Sequence, residues 1–196
     1  MEIIGLLDFS ERSQLREWLE EHHASEKQCW VTCNRGKNSR PGTIPYIDVV
    51  EEALCFGWID GRAGTLDALH HVRRFTPRKA GSPYSRPNIE RLIRLNQQGM
   101  LHPRVKEAVT PLIETPFVFP PDIIAALKKD KTVWRHYCAF SEPYKRIRVA
   151  YIDAARKRPA EFSKRLENFI AKTRENKQII GYGGIEKYYE SQSTPS

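Results

Sequence analysis

The chain has no apolar run near the ~18 residues that a membrane-spanning helix requires, so no membrane span is expected. Its opening, Met1 to Ser10, lacks both a basic start and a small-residue cleavage site. No secretion signal is therefore expected, and a cytoplasmic location is the default expectation. The composition that marks disorder is missing as well: 40% of residues are hydrophobic and 29% charged, the balance of an ordinary globule. Cysteine is sparse, with four residues (Cys29, Cys33, Cys55, Cys138) and no CxxC spacing. Cys29 and Cys33, four apart on a strand, would lie about 13 Å from each other, too far for a disulfide. All four read as small core hydrophobes.

Signatures of the commoner chemistries are missing too. There is no HExxH, and the neighbouring histidines His22/His23 and His70/His71 would point apart on a helix or strand without a third ligand at useful spacing. A zinc site on His136 and Cys138 is the remaining metal alternative. No phosphate-binding Walker loop, dinucleotide glycine fingerprint or Gly-x-Ser-x-Gly nucleophile occurs, and Gly181-Tyr182-Gly183-Gly184 follows no strand. No cofactor, metal or catalytic residue is assigned.

What the chain does have is positive charge, unevenly placed. The net charge is +8 and the isoelectric point 9.4. Residues 1–69 carry seven basic and twelve acidic groups, whereas residues 70–110 carry nine basic and two acidic ones. An anion would be drawn to that middle segment. The competing reading is that the acidic first third packs against it and neutralises part of the excess.

Periodicity predicts an α+β fold in two lobes. A first helix opens near Ser10 as N-cap, with Leu15, Trp18, Leu19 and His22 on one face. Cys29 to Cys33 is a strand and Asn34 to Pro45 a polar loop. A second helix begins at Tyr46 or Ile47, buries a stripe of Ile47, Val50, Ala53 and Leu54, and stops at Gly57. Trp58 to Gly61 starts a second strand and His71 to Phe75 a third, with 64–69 as the turn. Alternation puts Trp58 and Asp60 on one strand face; with Ile59 toward the core, Asp60 would point outward beside Trp58. Beyond Asn88 the pattern is helical, with stops or starts at Gly99, Pro103, Pro121, Ser141 and Pro159. On the helix after Ser141 the expected buried face is Ile147, Ala150, Tyr151 and Ala154. Phe117 to Pro121 reads as a linker. The expected domains are 1–116 (α+β), 117–180 (helical) and a tail at 181–196.

Two motifs stand out. Ala53-Leu54-Cys55-Phe56-Gly57-Trp58-Ile59-Asp60-Gly61 is a helix end running into a strand that carries an acid. Arg73 to Asn88 is too basic and too proline-rich for core: Arg74, Arg78, Lys79 and Arg86 supply charge, and Thr76, Ser82, Tyr84, Ser85 and Asn88 supply neutral donors. Guanidinium forks match carboxylate or phosphate, and Pro77, Pro83 and Pro87 would keep the segment stiff. The bland alternative is that these residues cap the next helix and pair with Glu51, Glu52 and Asp60.

With Ala-Leu-Cys-Phe-Gly-Trp-Ile-Asp-Gly, Arg-Phe-Thr-Pro-Arg and Ser-x-x-Ser-x-x-Asn, the chain resembles the bacterial YdeI/OmpD-associated family, also called bacteriocin-protection proteins. The resemblance runs from about Leu15 to Lys177 and includes Pro121-Asp122-Ile123 and Tyr151 to Ala155, where that family's second domain would lie. It departs at Tyr84-Ser85, where the family commonly has Trp-Ser, and at Glu161-Phe162-Ser163, where it has Glu-Thr-Arg. The resemblance implies a cytoplasmic bacterial protein connected with stress or bacteriocin tolerance.

The function expected from these residues is binding, with an enzyme the less favoured alternative. Arg74, Arg78 and Lys79 would attract an anionic small molecule or an acidic protein segment, and Ser82, Ser85, Asn88 and Thr76 would orient it. Trp58 and Tyr84 would wall the pocket, and Asp60 would fix the guanidinium geometry. Nucleic acid is the rival partner, because arginines among aromatics suit phosphate contact with base stacking, and Lys145, Arg146, Arg148, Arg156, Lys157, Arg158, Lys164 and Arg165 add charge in the second lobe. An enzyme would need an acid/base partner for Asp60, such as His70 or His71.

Overall fold

The computed structural model describes residues 3–34, 41–67 and 70–180. The expected tail at 181–196, with its Gly181-Tyr182-Gly183-Gly184, lies outside them, as do parts of the 34–45 loop and the 64–69 turn. The fold is α+β, with a small mixed sheet in the first half and helices in the second. The chain divides into two compact units, Met1–Tyr84 with Arg91–Glu114, and Ser85–Glu90 with Thr115–Ser196.

The first unit starts with a two-residue strand that periodicity does not reveal, β1 (Leu6–Leu7), which pairs in parallel with β2 (Cys29–Thr32). Between them lies α1 (Arg12–His22). Its N-cap is Glu11 rather than Ser10, because the Gln14 side-chain oxygen accepts from the backbone N–H of both residues while Glu11 returns a bond to the Gln14 amide. α2 (Tyr46–Cys55) is buried from Val49 through Cys55 and not along a stripe; Ile47 is only half-buried. Glu51 and Glu52 are therefore inside, held by Arg12 and Arg16 of α1. These carboxylates do not neutralise the basic loop.

β3 (Trp58–Thr65) and β4 (His71–Pro77) form an antiparallel hairpin, and the sheet order is β1-β2-β4-β3. Register places Trp58 opposite Pro77 and Asp60 opposite Phe75, with a bulge between Asp60 and Ala63. Trp58 and Asp60 share a face, but that face also carries buried Phe75 and Val31 and is the one that packs into the core with α1 and α2. The outward orientation expected beside Trp58 is thus reversed: Trp58 is fully buried and donates its Nε1–H to the His23 carbonyl at 3.2 Å. Ile59, Arg74 and Thr76 take the other face. α3 (Arg86–Gln97) and α4 (Pro103–Glu114) follow, and Leu92, Leu95, Leu101 and Val109 complete this core.

The second unit holds α5 (Pro121–Lys128), α6 (Lys131–Ala139), α7 (Glu142–Asp153) and α8 (Pro159–Arg174) around Ile123, Leu127, Val133, Tyr144, Ile147 and Phe169. Phe117 and Phe119 pack on this core in an edge contact of 4.8 Å, so the expected linker is a fixed part of the unit. On α7 Ile147 is buried as expected, but the rest of the buried face is Tyr144, Arg148, Val149 and Ile152 in place of Ala150, Tyr151 and Ala154. Glu90 is buried in this unit between Arg86 and Arg146, whose guanidinium pKa rises through its hydrogen bonds to that carboxylate. Cys29, Cys33 and Cys55 are core residues as their surroundings suggest, but Cys138 is exposed. Among the described residues no helix is long and apolar enough to cross a membrane.

Candidate ligand-binding cleft

The end of α2 and the end of β4 meet at Gly57. This glycine has φ +74° just after the helix, and its carbonyl accepts the Arg78 amide at 2.9 Å. A Cβ on Gly57 would come within 3.3 Å of the Val105 side chain, so a small residue is needed on both counts. Beyond Arg78 the chain makes a tight turn. The Ser82 amide donates to the Lys79 carbonyl at 3.2 Å, and Gly81 takes φ +75°, the position that type II turns reserve for glycine.

Arg78 closes this loop from above. Its Nη2 donates to the carbonyls of Ser82 (2.8 Å) and Pro83 (3.1 Å), and its guanidinium lies 3.6 Å from the centre of the Tyr84 ring. The side chain expected to seize a ligand instead organises the segment around it.

The loop borders an open cleft of about 570 Å³ in the first unit. Trp58, Arg78, Lys79, Ser82 and Tyr84 line it, joined by His23, Glu26, Phe56, His102 and Arg104. α4 opens at its edge, where Arg104 and Val105 belong to the helix's first turn. Lys79 and Arg104 are exposed and make no ion pair among the described residues. Glu26 is the one carboxylate in the lining. His23 and His102 have ring centres 4.7 Å apart, and both contact Phe56. His23 bonds the Leu19 carbonyl through Nδ1 at 2.8 Å; a carbonyl only accepts, so that nitrogen carries the proton. The His102 pKa lies below its ordinary value, chiefly through burial and then through the charge of His23 and Arg104.

The other expected site residues do not line this cleft. Asp60 accepts the Tyr46 hydroxyl at 2.6 Å and lies 3.8 Å from Arg73, which donates to the Gly61 carbonyl at 2.9 Å and stacks on the Tyr46 ring. Asp60 therefore orients Arg73, not Arg74 or Arg78. Burial first, then this hydrogen bond, pushes the Tyr46 hydroxyl up to about 12, which keeps it a donor at neutral pH. His70 is turned to Asp67 and His71 pairs across the hairpin with Thr65, whereas Asp60 is engaged by Tyr46 and Arg73. Arg74, whose buried Nε has no hydrogen-bond partner among the described residues, and Thr76 sit on the far face of β4. Ser85 and Asn88 belong to the start of α3, grouped with the second unit.

His23, Phe56, His102 and Arg104 are not among the expected site residues: the sequence marks His23 only as half of a histidine pair and Phe56 only as part of the first motif. The available hint was His102-Pro103-Arg104, a proline-led helix start with a cation in its first turn.

In the second unit most of the expected nucleic-acid cations are engaged. Arg146 holds Glu90, Lys145 pairs with Glu142, Arg156 with Asp122 and Asp153, and Arg165 with Glu161. Arg148 is buried and donates to the Ile179 carbonyl. Among the described residues no group of three or more His, Cys, Asp or Glu side chains could hold a metal ion.

Two families match the chain. The one described as "Bacteriocin-protection, YdeI or OmpD-Associated" matches residues 116–176. The one described as a domain of unknown function, DUF8412, matches residues 7–108, which contain both motifs and the cleft. No curated protein and no solved structure matches. With just over half of its 196 residues covered by that match, the chain belongs to the DUF8412 domain family, and its second half carries a YdeI/OmpD-associated segment.

Proposed function

We propose that the protein is a cytoplasmic binding protein with a role in bacterial stress or bacteriocin tolerance, and that its cleft takes a small anionic ligand or the acidic side chains of a partner segment. One observation carries this reading: Lys79 and Arg104, far apart in sequence, line one cleft and make no ion pair among the described residues, and Glu26 is the one carboxylate in that lining. Unpaired cations beside a concave, partly apolar surface create a local field that an oxyanion neutralises. The loop is already braced by Arg78 and Gly81, which lowers the ordering cost of binding. The YdeI/OmpD-associated match at residues 116–176 supports the physiological part of the reading.

The test is a thermal-shift and calorimetric screen with inorganic phosphate, citrate and short acidic peptides. At least one should stabilise the protein, with an affinity that falls as salt rises and drops roughly tenfold or more in the Lys79→Ala/Arg104→Ala double variant. If no anion binds, or the double variant binds as well as wild type, the reading fails. Single-stranded oligonucleotides in the same titration test the rival partner. Binding of oligonucleotide alone, with none of the small anions or peptides, would replace this reading with that one.

A further inference from the structure

The cleft is too large and too flat-walled for a bare oxyanion. Its volume of about 570 Å³ falls in the range of roughly 300–1,000 Å³ that encloses organic ligands, whereas the two unpaired cations occupy only part of its lining. Several of the other lining side chains are planar: His23, Phe56, His102, Arg78 and Tyr84. The His23 and His102 rings stand 4.7 Å apart, with Phe56 at 5.3 and 5.8 Å from them. The Arg78 guanidinium lies over the Tyr84 ring at 3.6 Å, with its Nη2 held by two carbonyls. A guanidinium fixed in this way is a stacking platform, because its delocalised face is weakly hydrated and its Nη2 donors are already bonded.

We propose that the ligand is a planar aromatic ring bearing an oxyanion, of the nucleoside-monophosphate or aryl-carboxylate class, with the ring against these flat side chains and the oxyanion toward Lys79 and Arg104. This deepens the anion-binding reading and rests on it. The depressed pKa of His102 agrees with the assignment: a neutral imidazole offers a ring face without adding to the charge of the neighbouring cations. Arg78 then acts as a stacking surface as well as the brace of the loop, its Nη2 donors being taken by the loop's own carbonyls.

Matched probes on the full chain separate the ring from the charge. Adenosine 5′-monophosphate is compared with ribose 5-phosphate, and 2-naphthoate with cyclohexanecarboxylate, in calorimetric titrations. In at least one pair the ring-bearing member should bind roughly tenfold tighter or more, the gain expected from one stacked ring. Which pair shows the gain distinguishes a phosphate-bearing from a carboxylate-bearing ligand. His102→Ala should remove that preference while leaving ribose 5-phosphate or cyclohexanecarboxylate unaffected, and Arg104→Ala should weaken both members of a pair. On the wild-type protein, the ring-bearing probe alone should shift the His23 and His102 ring proton resonances upfield. Equal affinity within both pairs, with no such shift, overturns the ring assignment and leaves the anion reading standing. No binding of any probe overturns both.

Discussion

Arg78 offers the sharpest test of how the site is built. If it braces the loop, its loss is a stability effect before it is a binding effect. Arg78→Ala removes two charged-donor hydrogen bonds, to Ser82 and Pro83, and the stack on Tyr84. Buried, such bonds are worth about 1.5–3 kcal/mol each. Here they are exposed to solvent, so together they contribute about 1 kcal/mol. The stack adds about 0.5–1 kcal/mol at an exposed site. The expected destabilisation in urea unfolding is about 1–2 kcal/mol. Arg78→Lys decides between charge and shape. It keeps the cation but has no planar fork to span two carbonyls or cover a ring, so it should lose nearly as much as alanine. In a double-mutant cycle with Tyr84→Ala the coupling should be about 0.5–1 kcal/mol. Hydrogen exchange at the Ser82 amide, which closes the turn onto Lys79, should speed up in both Arg78 variants. A lysine variant with wild-type stability and protection, and a coupling under about 0.3 kcal/mol, would refute the brace and return Arg78 to the role of a plain cation.

Two other substitutions probe the frame of the cleft. Gly57→Ala puts a side chain on a residue with φ +74° and within 3.3 Å of Val105, so it should destabilise by about 1–2 kcal/mol in urea unfolding, with Gly42→Ala as the control for positive φ in open space. If the two variants lose the same amount, the approach of Val105 contributes nothing. Glu52→Gln removes the charge of a side chain that is 1% exposed and accepts from both Arg12 and Arg16. The arginines stranded by that change keep Glu51, Asp48 and Glu20 as partners and are about 30% exposed, so the loss should be about 2–3 kcal/mol, below the upper values for breaking a buried pair. A change under about 0.5 kcal/mol would mean that the network is an exposed one in energetic terms.

How much of this was legible beforehand differs element by element. Helix starts carrying proline and stops carrying glycine were readable at Gly57, Pro103, Pro121 and Pro159, because each uses a backbone property of one residue. The strand parity of Trp58 and Asp60 was readable too, since alternation is geometric. Which parity faces the core was not, and Ile59 was the wrong guide. A tryptophan whose ring nitrogen finds the His23 carbonyl can be buried at no polar cost, and its larger apolar area outweighs that of isoleucine. The reversal of that one face removed Asp60 from the expected site, brought it under Tyr46 of α2, and matched it with Arg73. Two-residue β1 left no trace, as a pairing that short has no period to detect.

The cations show why composition locates a site poorly. Fields are screened within about 8–10 Å at physiological salt, so a net charge of +8 says little about any one place on the surface. What counts is whether each cation already has an acceptor. Arg86 and Arg146 share buried Glu90, Arg12 and Arg16 share Glu52, and Arg73 and Arg78 are tied to backbone carbonyls. The acceptors come from 4 to 56 positions away in the sequence, and the longer spans follow from tertiary packing alone. Arg104 lies beside the cleft because Gly57, the second of the two residues between α2 and β3, lets Val105 and the start of α4 approach, and Lys79 joins it from the turn after β4. The anion-attracting character of the site thus depends on a backbone contact at Gly57 as much as on the basic residues themselves, and a variant that moves α4 away should lose ligand affinity while keeping every charge.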